Sequence, residues 1–253
     1  MKKIATLATL AMVLAACGDL GDADDDAELT VSGAASLTDA FGDIGPAFEE
    51  ENPRVTVILN FGPSDALATQ INEGAPIDVF ASASHEWMDA VQKEGPGVSG
   101  RTDFAKNRLA IIVPWENPAE IEGIDDLTED GVQLVIAAEG VPAGDYARAI
   151  FANAGIADAA MSNVVSNADD VRTVVAAVAS GEADAGIVYV TDVTSDVADQ
   201  VTLIEIPDEV NVIATYPIAV VSGSQEADLA QRFIDYVLGP GQQTLAEHGF
   251  LPA

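Results

Sequence analysis

Cysteine occurs once in 253 residues, at Cys17, and that scarcity removes several chemistries from the folded part of the chain. With that one thiol assigned to the N-terminal segment, no disulfide, no cysteine metal site and no cysteine nucleophile remain. Basic side chains are scarce as well: ten Lys and Arg stand against 42 Asp and Glu, for a formal charge of −32. Nucleic acid is excluded as a partner on that ground, because phosphate contacts need clusters of Lys and Arg. The excess carboxylate reads as a solvated surface that keeps an exported protein soluble, or as a match to a saline habitat whose salt screens the repulsion. Long apolar runs are also missing. The run at 4–14 falls short of the roughly 18 uninterrupted residues that a membrane-spanning helix needs, and no later segment approaches that length.

What the N-terminus does contain is "MKKIATLATLAMVLAACGD", two lysines, an apolar stretch and small residues before the cysteine. This is the pattern of a secretory signal peptide, assigned to 1–16. The string "LAAC" at 14–17 resembles the lipobox of bacterial lipoproteins, which implies a lipid on Cys17 and an extracytoplasmic protein held to the membrane by that anchor only. Residues 18–28, "GDLGDADDDAE", are Gly- and Asp-rich with almost nothing to bury, so 17–28 is expected to be the lipidated cysteine followed by an acidic tether. The carboxylates of "DADDD" lack the glycine turn and terminal glutamate of a calcium loop, and no metal site is expected there.

From Glu28 onward strands and helices alternate. "ELTVSGA", "RVTVILN" and "IDVFASAS" read as strands, each followed by a helical pattern, and a second run repeats the scheme with "VQLVIAA", "GDYARAIFANAGI", "DDVRTVVAAVASGE" and "ADAGIVYV". Such alternation predicts an α/β fold with largely parallel sheets covered on both faces. Two strand-like crossings, "NRLAIIVP" and "TYPIAVV", join the two units, and two closing helices return to the first. The expected lobes are 29–109 with 217–253, and 110–216. Ligands of open α/β sheets sit beyond the carboxyl ends of the strands, so two facing lobes place theirs in the cleft between them.

The strand-to-helix turns repeat one chemical idea. Ser36 in "GAASLTDAF" and Ser64 in "FGPSDAL" each follow a strand and can cap the next helix. In the second unit "EGVPAGDYA" begins a helix at Pro142, leaving the N–H groups of Ala143 and Gly144 unpaired, and "SNADDVRTVV" begins another, capped by Asn167 or Asp169, leaving that of Val171 free. Each turn offers partial positive charge without a formal cation. Together they suit a small anion.

These segments, "AASLTDAF", "APIDVFASASHEWMD", "FAKNRLAIIVP", "VPAGDYAR", "DDVRTVVAAVASGEADAGIVYVTDV" and "YPIAVV", are similar, in order and over about residues 29–250, to the signatures of the molybdate-binding proteins that serve ABC importers. The resemblance implies a type II periplasmic-binding-protein fold, a monomer without a cofactor that binds molybdate and also tungstate, and a membrane permease with its ATPase as partner. It implies a site in which Ser36 and Ser64 donate from one lobe, the backbone N–H groups of Ala143 and Val171 donate from the other, and the Tyr189 hydroxyl completes the set. Pro63 departs from the family pattern. Proline has no N–H, so a contact made at that position in relatives is missing here.

Two other readings compete. The same donors would serve a receptor for another tetrahedral oxyanion, sulfate or phosphate. A secreted serine hydrolase would use Ser64 as nucleophile with Asp184 and His248 in that chain order, but the elbow G-x-S-x-G ends here in Ala66 instead of Gly, and His248 lies at a helix end where a cation is favourable. His85 opens the helix "HEWMDAV", where it is expected to be solvated. If Cys17 carries the anchor, Cys17→Ser should move the protein from the membrane fraction to the soluble fraction with ligand affinity unchanged, since the tether separates the two. Membrane association that persists in the variant would overturn the lipoprotein reading.

Overall fold

The first apolar run becomes β1 (Ala27–Ala34), the central strand of a parallel trio, in the computed structural model, which describes residues 26–253. The expected signal peptide, Cys17 and nearly all of the acidic tether lie outside the described residues. After β1 come α1 (Thr38–Glu51), β2 (Val55–Gly62), α2 (Ser64–Asn72), β3 (Val79–Ala81) and α3 (His85–Glu94). β2 and β3 flank β1, both parallel to it.

Two strands then tie the halves together. β4 (Val98–Pro114) pairs antiparallel with β9 (Ile213–Val221) through residues 98–108, and β9 closes on β3. From Leu109 onward β4 changes partners, to β7 (Ala185–Tyr189) and β8 (Val201–Glu205). β7 lies parallel to β5 (Leu134–Ala137), and β5 to β6 (Val164–Ala168). The changeover falls between Arg108 and Leu109, and the return begins at Ile213. The lobe limits expected at 109/110 and 216/217 therefore lie inside these two strands.

Each half is covered by helices. In the first, α1 packs with α7 (Ala227–Leu238) and α8 (Gly241–Glu247) on one face, where Phe41, Phe48, Phe104 and Phe233 meet edge to face or tilted at centroid distances of 5.3 to 6.0 Å. On the other face α2 and α3 bring Leu67, Ile71, Met88 and Val91 against Phe80 and Ala219. In the second half α4 (Pro142–Ala154) and α6 (Val171–Ala179) pack on β5 and β7. Both of those strands are buried along their whole length, which is why they read as uninterrupted apolar runs.

Three elements were not expected from the pattern: the short α5 (Ala157–Ser162), β6 and β8. β6 is an edge strand with three of its five residues exposed, so it carries no apolar alternation to read. β4 also starts nine residues before the expected "NRLAIIVP", because its early residues are held by β9 instead of by an apolar face.

Gly186 decides how closely α6 sits on the second sheet. A Cβ there would lie 2.6 Å from Val174 Cγ1 and 3.1 Å from Val178 Cγ2, so no larger residue fits without lifting the helix. Gly186→Ala should destabilise the protein by about 1–3 kcal/mol through overpacking, read as a lower urea midpoint. An unchanged midpoint would show that α6 shifts without cost.

Candidate ligand-binding site

The four turns meet at one small cavity between the halves. Ser36, Ser64, Ala143, Val171 and Tyr189 all line it. The cavity offers about 20 Å³ to the centres of water-sized spheres, where a single water needs at least roughly 10–15 Å³. It therefore suits a ligand of a few heavy atoms.

Each lining group is set by local structure. Ser36 sits in a short 3-10 turn (Ala35–Leu37) at the end of β1, and its hydroxyl is 2.9 Å from that of Tyr216. Ser64 is the first residue of α2, and its oxygen accepts the Ala83 N–H at 3.1 Å. Neither serine caps its helix, contrary to the expectation from sequence. Long-range partners hold the oxygens instead, and an accepted N–H leaves the Ser64 hydroxyl hydrogen available for the cavity. Ala83 was not singled out in the sequence. It enters because β3 lies beside β1, and the turn that carries it is tied locally by Ser82, whose hydroxyl contacts both the N–H and the C=O of Ser84.

In the second half α4 starts at Pro142, and as its second residue Ala143 has an N–H with no acceptor inside the helix. Gly144 differs from expectation: its N–H donates to the Val141 carbonyl at 2.9 Å. Its role is steric, since a Cβ there would lie 2.2 Å from the carbonyl oxygens of Ala137 and Ala138. That contact seats the start of α4 on the end of β5. The cap of α6 is Asp170, whose carboxylate accepts the Thr173 N–H at 2.8 Å, and not Asn167 or Asp169. Asn167 instead accepts from Arg148 at 2.7 Å, while the same guanidinium holds the carbonyls of Ala137 and Gly144. Arg148 thereby fixes the two second-lobe turns to each other. Val171, first in α6, keeps an N–H without an intrahelical partner.

Tyr189 ends β7. Its hydroxyl is buried and, among the described residues, has no partner at ordinary hydrogen-bond geometry, the Tyr216 side chain being the neighbour that acts on its proton, whereas buried polar groups are almost always paired. Burial holds its proton in place, raising its pKa well above the ordinary tyrosine value. The hydroxyl keeps its proton and belongs to a residue that lines the cavity, so it can donate to a ligand there.

Among the described residues that line the cavity none is Lys or Arg, and the one acid, Asp170, is occupied as a helix cap. The arrangement can neutralise an anion only with dipoles: hydroxyls and the N–H groups at helix starts. Pro63 lines the cavity too and brings no N–H, but its φ of −64° and extended ψ set the chain to enter α2 at Ser64. The residues of a hydrolase triad are not assembled. The Asp184 carboxylate accepts the Gln133 N–H at 2.8 Å, and His248 pairs with Asp43 at 2.8 Å. His85 is exposed, as expected, between Arg101 and Asp103.

A two-lobed α/β fold closed over a small cavity of neutral donors defines a ligand-binding protein of the periplasmic-binding type. Residues 29–251 match the bacterial extracellular solute-binding protein family, and the chain belongs to it. It is 38% identical over 251 residues to the molybdate-binding protein ModA of Mycobacterium tuberculosis, covering 96% of this chain and 94% of that one. It also resembles a solved substrate-binding domain assigned to a molybdenum ABC transporter of Clostridium difficile, with a TM-score of 0.69 and 32% identity over 90% of this chain and 99% of that one. The periplasmic molybdate-binding protein of Azotobacter vinelandii shares the fold, with a TM-score of 0.79 at 20% identity over 89% of this chain and 99% of that one. Among the described residues no helix is long and apolar enough to cross a membrane.

Close behind Tyr189 lies Asp192, fully buried, with one oxygen accepting the Tyr189 N–H at 3.0 Å and the other unpaired. Burial pushes its pKa from 3.8 up to about 7, against the opposing pull of the Arg172 guanidinium and that N–H. Below pH 3.8 both the folded and the unfolded forms are protonated. As pH rises from there through about 7 the unfolded chain loses its proton first, so stability from this group falls across that window. The stability of wild type relative to Asp192→Asn, from urea unfolding, should therefore decline between about pH 4 and 7 and level off above. A difference that does not vary with pH would contradict the assignment.

Proposed function

We propose that this protein is an extracytoplasmic receptor that captures molybdate, and tungstate equally well, and delivers it to an ABC import permease. The observation that carries the reading is the buried, unpartnered Tyr189 hydroxyl at a cavity otherwise lined by the serine and backbone donors of four turns. Ser36, Ser64 and Tyr189 would donate by hydroxyl, Ala143 and Val171 by N–H. Bonds from neutral donors to a desolvated anion are stronger than neutral pairs, so a dianion is held without a cation. The relatives named for molybdate support the choice of ion. Tungstate has nearly the same size and charge, whereas a cavity sized for either should hold the smaller sulfate loosely. The protein acts by binding alone: the Ser64 oxygen meets an N–H, and neither histidine is bonded to it. The anchor on Cys17, a monomeric state and the permease as partner belong to the same reading.

Titration of the dialysed protein, followed by the fluorescence of Trp87 and Trp115, should show tight molybdate and tungstate and weak sulfate and phosphate. Ser64→Ala removes one hydrogen bond to a charged ligand and should cost roughly 1.5–3 kcal/mol, or about 10- to 150-fold in affinity, without any esterase activity in either form. Tyr189→Phe should lose about tenfold or more while the ligand-free protein keeps its thermal midpoint, because the hydroxyl has no protein partner to lose. Undiminished molybdate affinity in both variants would refute the site.

A further inference from the structure

Three polar contacts cross the cleft, and each lands beside a donor of the site; of the residues that make them only Ala83 lines the cavity. From the first lobe, the Trp87 indole N–H donates to the Gly140 carbonyl at 2.7 Å, in the loop that leads to Ala143. From the second, the Tyr146 hydroxyl donates to the Ala83 carbonyl at 3.0 Å, and the N–H of that same Ala83 holds Ser64. Arg172, next to Val171, pairs with Asp39 on α1. The first two bonds run in opposite directions, one donor and one acceptor from each lobe, so neither forms unless both lobes reach their closed positions.

We propose that Trp87 and Tyr146 are positioning residues that latch the closed lobes and set how long the anion stays bound. The inference rests on the functional reading above. Both side chains suit the task. The Trp87 ring lies against the loop at Gly140, where a Cβ added to the glycine would be 3.8 Å from Trp87 Cζ2, so the indole covers the backbone it bonds. Tyr146 also packs edge-on to Tyr189 at a centroid distance of 6.4 Å, and burial pushes its pKa up to about 12. It stays a donor throughout the neutral range. Because Tyr146 sits on α4 beyond Ala143, one helix carries both a ligand donor and a latch donor. Closure therefore brings Ala143 to the anion and locks the Ala83 turn behind Ser64 in the same movement.

A latch acts on escape more than on entry, since the anion arrives while the lobes are apart. In Tyr146→Phe, which removes one donor and keeps the ring, and in Trp87→Phe, which removes one donor and exchanges the indole for a smaller ring, dissociation of molybdate should quicken by about 2- to 13-fold. The double variant should approach the product of the two effects, and association rates should stay within about twofold of wild type. Exchange of bound radiolabelled molybdate against excess unlabelled ion reads these rates without using Trp87 as reporter. The urea midpoint of the ligand-free variants serves as a fold control, because a contact made only on closure adds little to the open form. Dissociation at the wild-type rate in the double variant would overturn the latch, as would a slowed association that accounts for the whole affinity loss. If the wild type binds none of molybdate, tungstate, sulfate or phosphate, the functional reading fails on its own. The latch is then judged by small-angle X-ray scattering of the ligand-free chains, where a larger radius of gyration in the double variant upholds it and equal radii overturn it.

Discussion

Holding a small dianion inside a chain of charge −32, at a cavity that no Lys or Arg among the described residues lines, leaves a single physical solution. Every interaction must come from dipoles that are oriented before the ligand arrives. A dipole free to turn gains little from a desolvated anion, because ordering it offsets much of the attraction. The fold therefore braces the turns that carry the donors. Gly144 lets α4 touch the end of β5, Arg148 binds three acceptors across the second-lobe turns, and Ser82 ties the turn that carries Ala83. None of these donates to the cavity.

The parallel strands supply the arrangement. Their carboxyl ends lie on one side of each sheet, and a helix starting there presents unpaired N–H groups outward. Two such sheets joined through β4 and β9 face these ends toward each other. The two strands do different work along their length: β4 is bound to β9 up to Arg108 and to β7 and β8 beyond it. Side chains brace the changeover, with Asn107 donating to Thr191 at 2.8 Å and Asn211 to the Leu109 carbonyl at 2.9 Å.

Much of this was legible in the residues. β-branched runs ending in "GAAS" and "FGPS", and helices opening at "VPAG" and "DDVR", mark the turns because local chemistry alone favours a helix start there. What the serines do at those turns was not legible. Capping is the short-range expectation for Ser36 and Ser64, yet Tyr216 and Ala83 engage their oxygens from 180 and 19 residues away. Sheet order, which no local pattern reports, places Ala83 beside Ser64. The cap of α6 fell one residue past the expected pair, at Asp170, because Asn167 is drawn off by Arg148. β6 and β8 escaped notice since their residues are held by a neighbouring strand more than by an apolar face.

The buried groups around Tyr189 carry a final consequence. Tyr189 packs edge-on to Tyr216 at 5.9 Å and to Tyr146 at 6.4 Å, and Asp192 accepts the Tyr189 N–H. Two neighbouring tyrosine rings and a carboxyl hold the residue whose hydroxyl has no hydrogen-bond partner among the described residues. A buried polar group left unpaired costs on the order of 1–3 kcal/mol, and an anion in the cavity would remove that cost by accepting from the hydroxyl. Cross-cleft bonds alone would favour closing on an empty site, and the unsatisfied hydroxyl opposes them. Closure that is favourable with ligand and balanced without it is what a receptor needs if it must hold its ion in transit and open again to release it.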